Sequence, residues 1–180
     1  MSTVFSFPPI AAPDARVLIL GSMPGLASLQ AGQYYAHPRN QFWAILAALL
    51  DRESWQDYAE KRLALLDAHI ALWDVLQSCR RPGSLDADIA KPSMVVNDFA
   101  GFLTEHPQIR HVFFNGATAE QTFRRAVLPA LSLTELCLQR LPSTSPAHAA
   151  LNFQQKLQQW QTVTAALQIP GDTSAARNRP

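Results

Sequence analysis

The feature that most restricts the fold is a run of four aliphatic residues, Val17-Leu18-Ile19-Leu20, that stops at Gly21. A strand with one wet face alternates apolar and polar residues. A run that is apolar on both faces has to be covered on both, which is the pattern of an interior strand in a parallel sheet. Three further short runs follow: Ile70 to Trp73, Val112 to Phe114 and Leu136 to Leu141, the last two stopped by Asn115-Gly116 and Pro142. Between and after them, apolar residues recur at helical spacing over 39–51, 55–68, 97–105 (with Asn97 or Ser93 as N-cap), 117–127 and 147–167. Strands alternating with helices predict a single α/β domain, three layers α/β/α, around a central, mostly parallel four-stranded sheet. It spans 1–169. Residues 170–180 are small, polar and free of aromatics, which predicts a disordered tail.

Bulk properties narrow the class. A chain of 180 residues has enough interior for one real core, with roughly 70% of its unfolded surface buried. The first twelve residues lack a basic stretch and carry Pro8 and Pro9, so no leader is expected. The apolar run from Phe42 to Leu50 falls far short of the ~20 residues of a membrane span. Two cysteines, Cys79 and Cys137, cannot build a disulfide framework, an iron–sulfur cluster or a four-thiolate zinc site. They suit a reducing compartment, and a cytoplasmic protein is expected. The five histidines lack metal-ligand spacing, so neither metal nor other cofactor is expected. Net charge is only +1. Any binding of a polyanion must therefore come from local groups.

Ligands of parallel sheets bind beyond the carboxyl ends of the strands. The loop after the first strand reads Gly21-Ser22-Met23-Pro24-Gly25 and continues to Tyr34-Tyr35-Ala36-His37-Pro38-Arg39-Asn40-Gln41-Phe42-Trp43. Its glycines allow close approach of backbone N–H groups to a ligand. It is neither a P-loop, nor a dinucleotide fingerprint, nor a hydrolase elbow. The loop after the last strand reads Pro142-Ser143-Thr144-Ser145-Pro146. Three hydroxyls pinned between prolines suit contacts to phosphates. They equally suit an ordinary helix start, with Ser145 as cap and Pro146 at the first helical position.

These two loops resemble the two signature motifs of the uracil-DNA glycosylase superfamily. Gly21 to Gly25 resembles the first motif, and Tyr35-Ala36-His37-Pro38-Arg39-Asn40-Gln41-Phe42-Trp43 is similar to its continuation in the mismatch-specific branch. Leu141-Pro142-Ser143-Thr144-Ser145 resembles the second motif. Two positions depart from the pattern. Met23 stands where an Asp or Asn usually handles the attacking water, and Leu141 where His or Asn usually supports the leaving base. The combination is most similar to the hypoxanthine-DNA (deoxyinosine) glycosylase branch, about residues 15 to 167 being covered.

The resemblance implies a repair enzyme that flips a deaminated base out of DNA and hydrolyses its glycosidic bond. It implies Asn40 as the catalytic residue, orienting water through its carbonyl; the other reading is a helix cap. It implies Tyr35 as the aromatic under the base, against a plain core aromatic. Gly21, Ser22, Met23, Pro24 and Gly25 line the base pocket with their backbone. Asp74 and Asn115, at two strand ends, either contact the base or tether loops. Asp86 is a structural cap or a water-positioning carboxylate. His37, Arg39, Ser143, Thr144, Ser145 and His148 are the expected DNA contacts. Only three lysines occur, Lys61, Lys91 and Lys156, and Lys91 alone falls in a loop, without a motif. A Schiff-base lyase needs an amine at the sugar, so a monofunctional enzyme is expected, acting as a monomer on DNA. The alternatives are a uracil or thymine mismatch glycosylase and a catalytically silent nucleic-acid-binding module. A small-molecule hydrolase is more distant, because no nucleophile–base pair is visible.

Overall fold

A computed structural model describes residues 3–131 and 135–168. The elements are β1 (Thr3–Phe5), β2 (Val17–Gly21), α1 (Leu26–Ala31), α2 (Phe42–Leu49), α3 (Tyr58–Asp67), β3 (Ile70–Asp74), β4 (Leu76–Arg80), β5 (Val95–Val96), α4 (Phe99–Glu105), β6 (His111–Asn115), α5 (Ala117–Thr122), β7 (Cys137–Leu141) and α6 (Phe153–Gln168). The tail expected at 170–180 lies outside the described residues.

The central sheet has the order β3-β2-β6-β7, and all three pairings are parallel. Every residue of β2 and β3 is buried, as their apolar runs require. One face packs against α2, α3 and α6 through Phe42, Ile45, Leu46, Leu65, Trp160 and Val163. The other packs against α4, α5 and the turn that follows α5 through Phe99, Phe102, Leu103, Ala119 and Phe123. The domain is therefore the expected three-layer α/β/α sandwich. Among the described residues no helix is long and apolar enough to cross a membrane.

Four features differ from the sequence expectation. A second, antiparallel sheet, β1-β4-β5, flanks the first. The loop after β2 contains the short helix α1, which ends in Gly32 at φ +63°. Helix α4 is capped by Asp98, whose carboxylate accepts from Gly101 N, and not by Asn97 or Ser93. Helix α6 begins at Phe153, six residues later than predicted. Its start is a reciprocal pair, with Asn152 Oδ1 accepting from Gln155 N and Gln155 Oε1 accepting from Asn152 N. This satisfies two otherwise orphan donors at the helix start.

Candidate active site

The site is built where β2 and β3 end. Gly21 is in register with Asp74. A methyl group on Gly21 would stand 2.5 Å from Asp74 Oδ1 and 2.8 Å from the Tyr35 hydroxyl. The glycine is thus required by close approach of two polar side chains from other parts of the chain. Asp74 is 3% exposed, and no hydrogen bond among the described residues engages its carboxyl group. What fixes its position is the backbone, whose carbonyl accepts from Asn97 Nδ2 at 2.8 Å. Burial pushes the Asp74 carboxyl up to about 8, with Asp86 acting in the same direction and Arg81 against it. Among the described residues the buried Tyr35 hydroxyl meets no hydrogen-bond partner at full bonding geometry, with the Asn115 amide the group near enough to lower its pKa. Its phenol is held well above the usual range, by burial and then by Asp74. Tyr35 adopts φ +53°, a left-handed conformation costly for a bulky side chain. Its ring stacks on Phe42 at 4.1 Å between centroids.

The Gly21–Gly25 turn is clamped from outside by the 80–92 loop. The Ser22 hydroxyl lies 2.7 and 2.8 Å from the two oxygens of Asp86 and donates to that carboxylate. Arg81, fully buried, donates to the Pro24 carbonyl and stands 4.0 Å from Asp86. Leu26 N donates to Ser84 Oγ at 2.9 Å. Burial raises the Asp86 pKa, opposed by the Ser22 hydrogen bond and by Arg81. Met23 packs with Leu76, Cys79 and Ile89 in a small core beneath the second sheet. It offers the site its backbone only.

At the other end of the long loop, Asn40 accepts from Phe42 N at 3.0 Å and donates its own N–H to the His37 carbonyl at 2.8 Å. His37 Nδ1 in turn accepts from Arg39 N. Asn40 and His37 line a groove of about 550 Å³ that also meets Trp43, Trp55, Arg52 and Lys61. Gln41 N donates to the Thr144 carbonyl at 3.0 Å, which ties this turn to the loop after β7. That loop is tied to β6 as well. Asn115 Nδ2 donates to the Thr144 hydroxyl and Asn115 Oδ1 accepts from Thr144 N, both at 2.9 Å. The end of β6, the loop after β7 and the start of α2 therefore hold one another through Asn115, Thr144 and Gln41.

The geometry corrects two sequence expectations. Thr144 was expected to grip phosphate, but its side chain is 0% exposed and its hydroxyl is taken by Asn115. The hydroxyls left toward the surface are those of Ser143 and Ser145. Ser145 caps no helix; its Oγ accepts from Ala147 N in a turn ahead of α6. His148 is exposed, and its carbonyl accepts from Lys156 Nζ at 2.8 Å, so that lysine pins the loop. Arg39 is exposed next to Asn40. Sequence reasoning missed Arg81 altogether. An arginine in a loop reads as solvated, and only the tertiary fold buries it. Among the described residues no group of three or more His, Cys, Asp or Glu stands together to hold a metal.

These features define an α/β domain whose functional groups collect at the carboxyl edge of a parallel sheet, the usual ligand edge of such folds. The profile of the Uracil DNA glycosylase superfamily matches residues 8–168. The chain belongs to that superfamily. A protein of Methanosarcina barkeri named hypoxanthine DNA glycosylase is 35% identical over 111 residues, 61% of this chain and 69% of that protein. A protein of the same name from Methanosarcina acetivorans is 38% identical over 115 residues, 63% of this chain and 71% of that protein. The solution NMR structure of a candidate uracil DNA glycosylase from Methanosarcina acetivorans superposes with a TM-score of 0.76 at 28% identity, covering 92% of this chain and 99% of that one.

Proposed function

We propose that this DNA glycosylase removes hypoxanthine from DNA with a water molecule oriented by Asn40. The observation that carries the reading is the link from Gln41 N to the Thr144 carbonyl, because it joins the Asn40 turn to the second motif loop. The base is extruded from the duplex at a cost of a few kcal/mol, least for a mispaired base. The C1′–N9 bond breaks through an oxocarbenium-like state, as in glycoside cleavage, and its electron pair leaves with the base. Water oxygen bonds to C1′ and a water proton ends on the departing base. Asn40 cannot remove that proton itself, so its contribution is position and a fixed dipole. Ser143, Ser145, Arg39, His37 and His148 meet the DNA, phosphates above all. The two relatives named hypoxanthine DNA glycosylase support this substrate.

The enzyme is monofunctional in this reading and works as a monomer in the reducing cytoplasm, where the free Cys79 and Cys137 remain thiols. Lys156 is tied to the His148 carbonyl and Lys61, in the groove beside Asn40, sits over the Trp43 ring, so this reading favours hydrolysis over Schiff-base chemistry. The test is a panel of oligonucleotides bearing hypoxanthine, uracil or a mismatched thymine, followed by alkaline cleavage of abasic sites. Release from the hypoxanthine strand is expected, and release from the uracil strand alone overturns the substrate. Borohydride trapping of the protein on DNA overturns the monofunctional assignment.

A further inference from the structure

Helix α6 turns one stripe to the core, and the buried positions on it are Lys156, Trp160, Val163 and Ala166. Their spacing is that of one helix face, which a soluble domain fills with apolar side chains. Lys156 breaks the pattern with an ammonium group. The residue is 2% exposed. Among the described residues no carboxylate stands within ion-pair distance of it. Burial alone acts on its pKa, and it acts downward. A buried cation without a counter-ion weakens a fold, and apolar side chains of similar volume are often neutral or better in such places. Stability therefore does not explain a lysine on this stripe.

What the ammonium holds is the loop after the second motif. Lys156 Nζ donates to the His148 carbonyl at 2.8 Å. One turn on, Trp160 Nε1 donates to the Pro142 carbonyl at 3.0 Å. Residues four apart on a helix stand side by side, so α6 grips both ends of 142–148 with two donors from one stripe. Between those ends the loop has neither helix nor strand. Its internal ties are His148 N to the Ser145 carbonyl, Ser145 N to Ser143 Oγ and Ala147 N to Ser145 Oγ. Its tip, 146–150, is exposed. The main chain of that tip is anchored to the helix beneath it through Lys156.

We propose that Lys156 is a positioning residue: by fixing the His148 carbonyl it holds the 146–150 tip in the shape that enters double-stranded DNA, so that excision from a duplex depends on it and excision from a single strand does not. This rests on the glycosylase reading, in which Ser143, Ser145 and His148 meet the DNA, and it names the form of DNA that the loop's order serves. Extruding a base from a duplex breaks a pair and a stack, whereas a single strand has no pair to break. A tip that is already ordered loses less conformational freedom on contact, which leaves more of the contact energy to oppose the duplex.

The test uses the full chain and single-turnover excision from one hypoxanthine-bearing oligonucleotide, alone and annealed with cytosine opposite the lesion. Lys156→Met keeps an unbranched side chain and removes the ammonium. It is expected to melt no earlier than wild type, because a buried unpaired charge is gone. Its excision from the duplex is expected to fall by about 10- to 100-fold, the scale of a lost preorganisation. Excision from the single strand is expected to stay within about 3-fold of wild type, the mark of an untouched chemical step. A second variant, Ala149→Gly, loosens the exposed tip without touching the core. It is expected to lower the duplex-to-single-strand ratio in the same direction and by less.

An unchanged ratio in Lys156→Met overturns the proposal, and so does a parallel loss on both substrates with an earlier melt, which makes the lysine a part of the fold only. If Lys156→Met does not fold, Ala149→Gly decides: a lowered ratio supports the proposal and a wild-type ratio overturns it. Absence of base release from either substrate by wild type sinks the glycosylase reading and this one with it. Release that ignores Lys156 and the tip sinks this one alone.

Discussion

Asn40 Oδ1 lies 3.0 Å from the backbone nitrogen of Phe42 and accepts its proton at the start of α2. The capping and catalytic readings of this asparagine are therefore compatible. A carbonyl oxygen has two lone pairs. The cap uses one, fixes the amide plane and leaves the other free for water. Replacing Asn40 by Ala is expected to lower single-turnover excision by about 100- to 1000-fold, the cost of one preorganised polar group. It also removes a cap, worth about 1 kcal/mol of stability. Asn40→Ser keeps a capping oxygen closer to the backbone and should regain stability without regaining turnover. A variant that melts earlier but excises at the wild-type rate reduces Asn40 to a cap.

The Asn115–Thr144 pair yields a second prediction. If Asn115 holds the turn, removing either half of the pair weakens the same structure. Thr144→Val deletes the hydroxyl and leaves the Asn115 amide short of an acceptor. Asn115→Ala leaves a buried N–H and a buried hydroxyl unpaired, at about 1–3 kcal/mol. Both are expected to lower the melting temperature and excision together, Asn115→Ala more. A base-contacting Asn115 gives another pattern, in which Asn115→Ala abolishes excision while Thr144→Val leaves it untouched.

What the sequence made legible follows from which forces were local. β2 and β3 were readable because burial on both faces demands uninterrupted apolar residues. β1, β4 and β5 were not. Leu76-Gln77-Ser78-Cys79-Arg80 pairs with Thr3–Phe5, more than seventy residues away, and no local pattern announces that partner. The start of α6 was misplaced because Ser145-Pro146 satisfies the rules of a helix start. The structure uses the same serine in a turn, since Thr144 beside it is already bound to Asn115. In the candidate site, motif and strand end single out Asn40, Tyr35 and Asp74, and the structure sets Tyr35 and Asp74 against Gly21. The clamp of Arg81 and Asp86 on the first motif was not, because it depends on a fold that buries an arginine.

Arg39 supplies an electrostatic prediction. It is exposed beside Asn40, in a chain of net charge +1, so each phosphate contact should be countable. Arg39→Ala is expected to weaken binding to lesion and undamaged duplex alike. It should also reduce the slope of log affinity against log salt by about 0.9 for one phosphate lost. Fluorescence anisotropy at four or five salt concentrations measures both. An unchanged slope removes Arg39 from the phosphate contacts.

Asp74 gives the last prediction, one of stability against pH. Its carboxyl is held up to about 8 when folded, mainly by burial, whereas an unfolded Asp titrates near ~3.9. Below the lower value both states are protonated and the residue costs nothing. Between the two values the unfolded chain ionises and the folded one does not, so the unfolded state binds fewer protons and stability falls with rising pH. Above the higher value both are ionised and the penalty levels off. Asp74→Asn removes the titration. The variant should match wild type near pH 4, overtake it steadily toward pH 8 and hold its advantage above that. With ~2–4 °C per kcal/mol for a domain of this size, a gain of about 5 °C or more in Tm at pH 8 is expected. Wild type thus gives up stability at neutral pH to hold a buried acid at its site, a trade that active sites commonly make. Melting curves of the two proteins that stay parallel from pH 4 to 9 contradict an un-ionised, unpartnered Asp74.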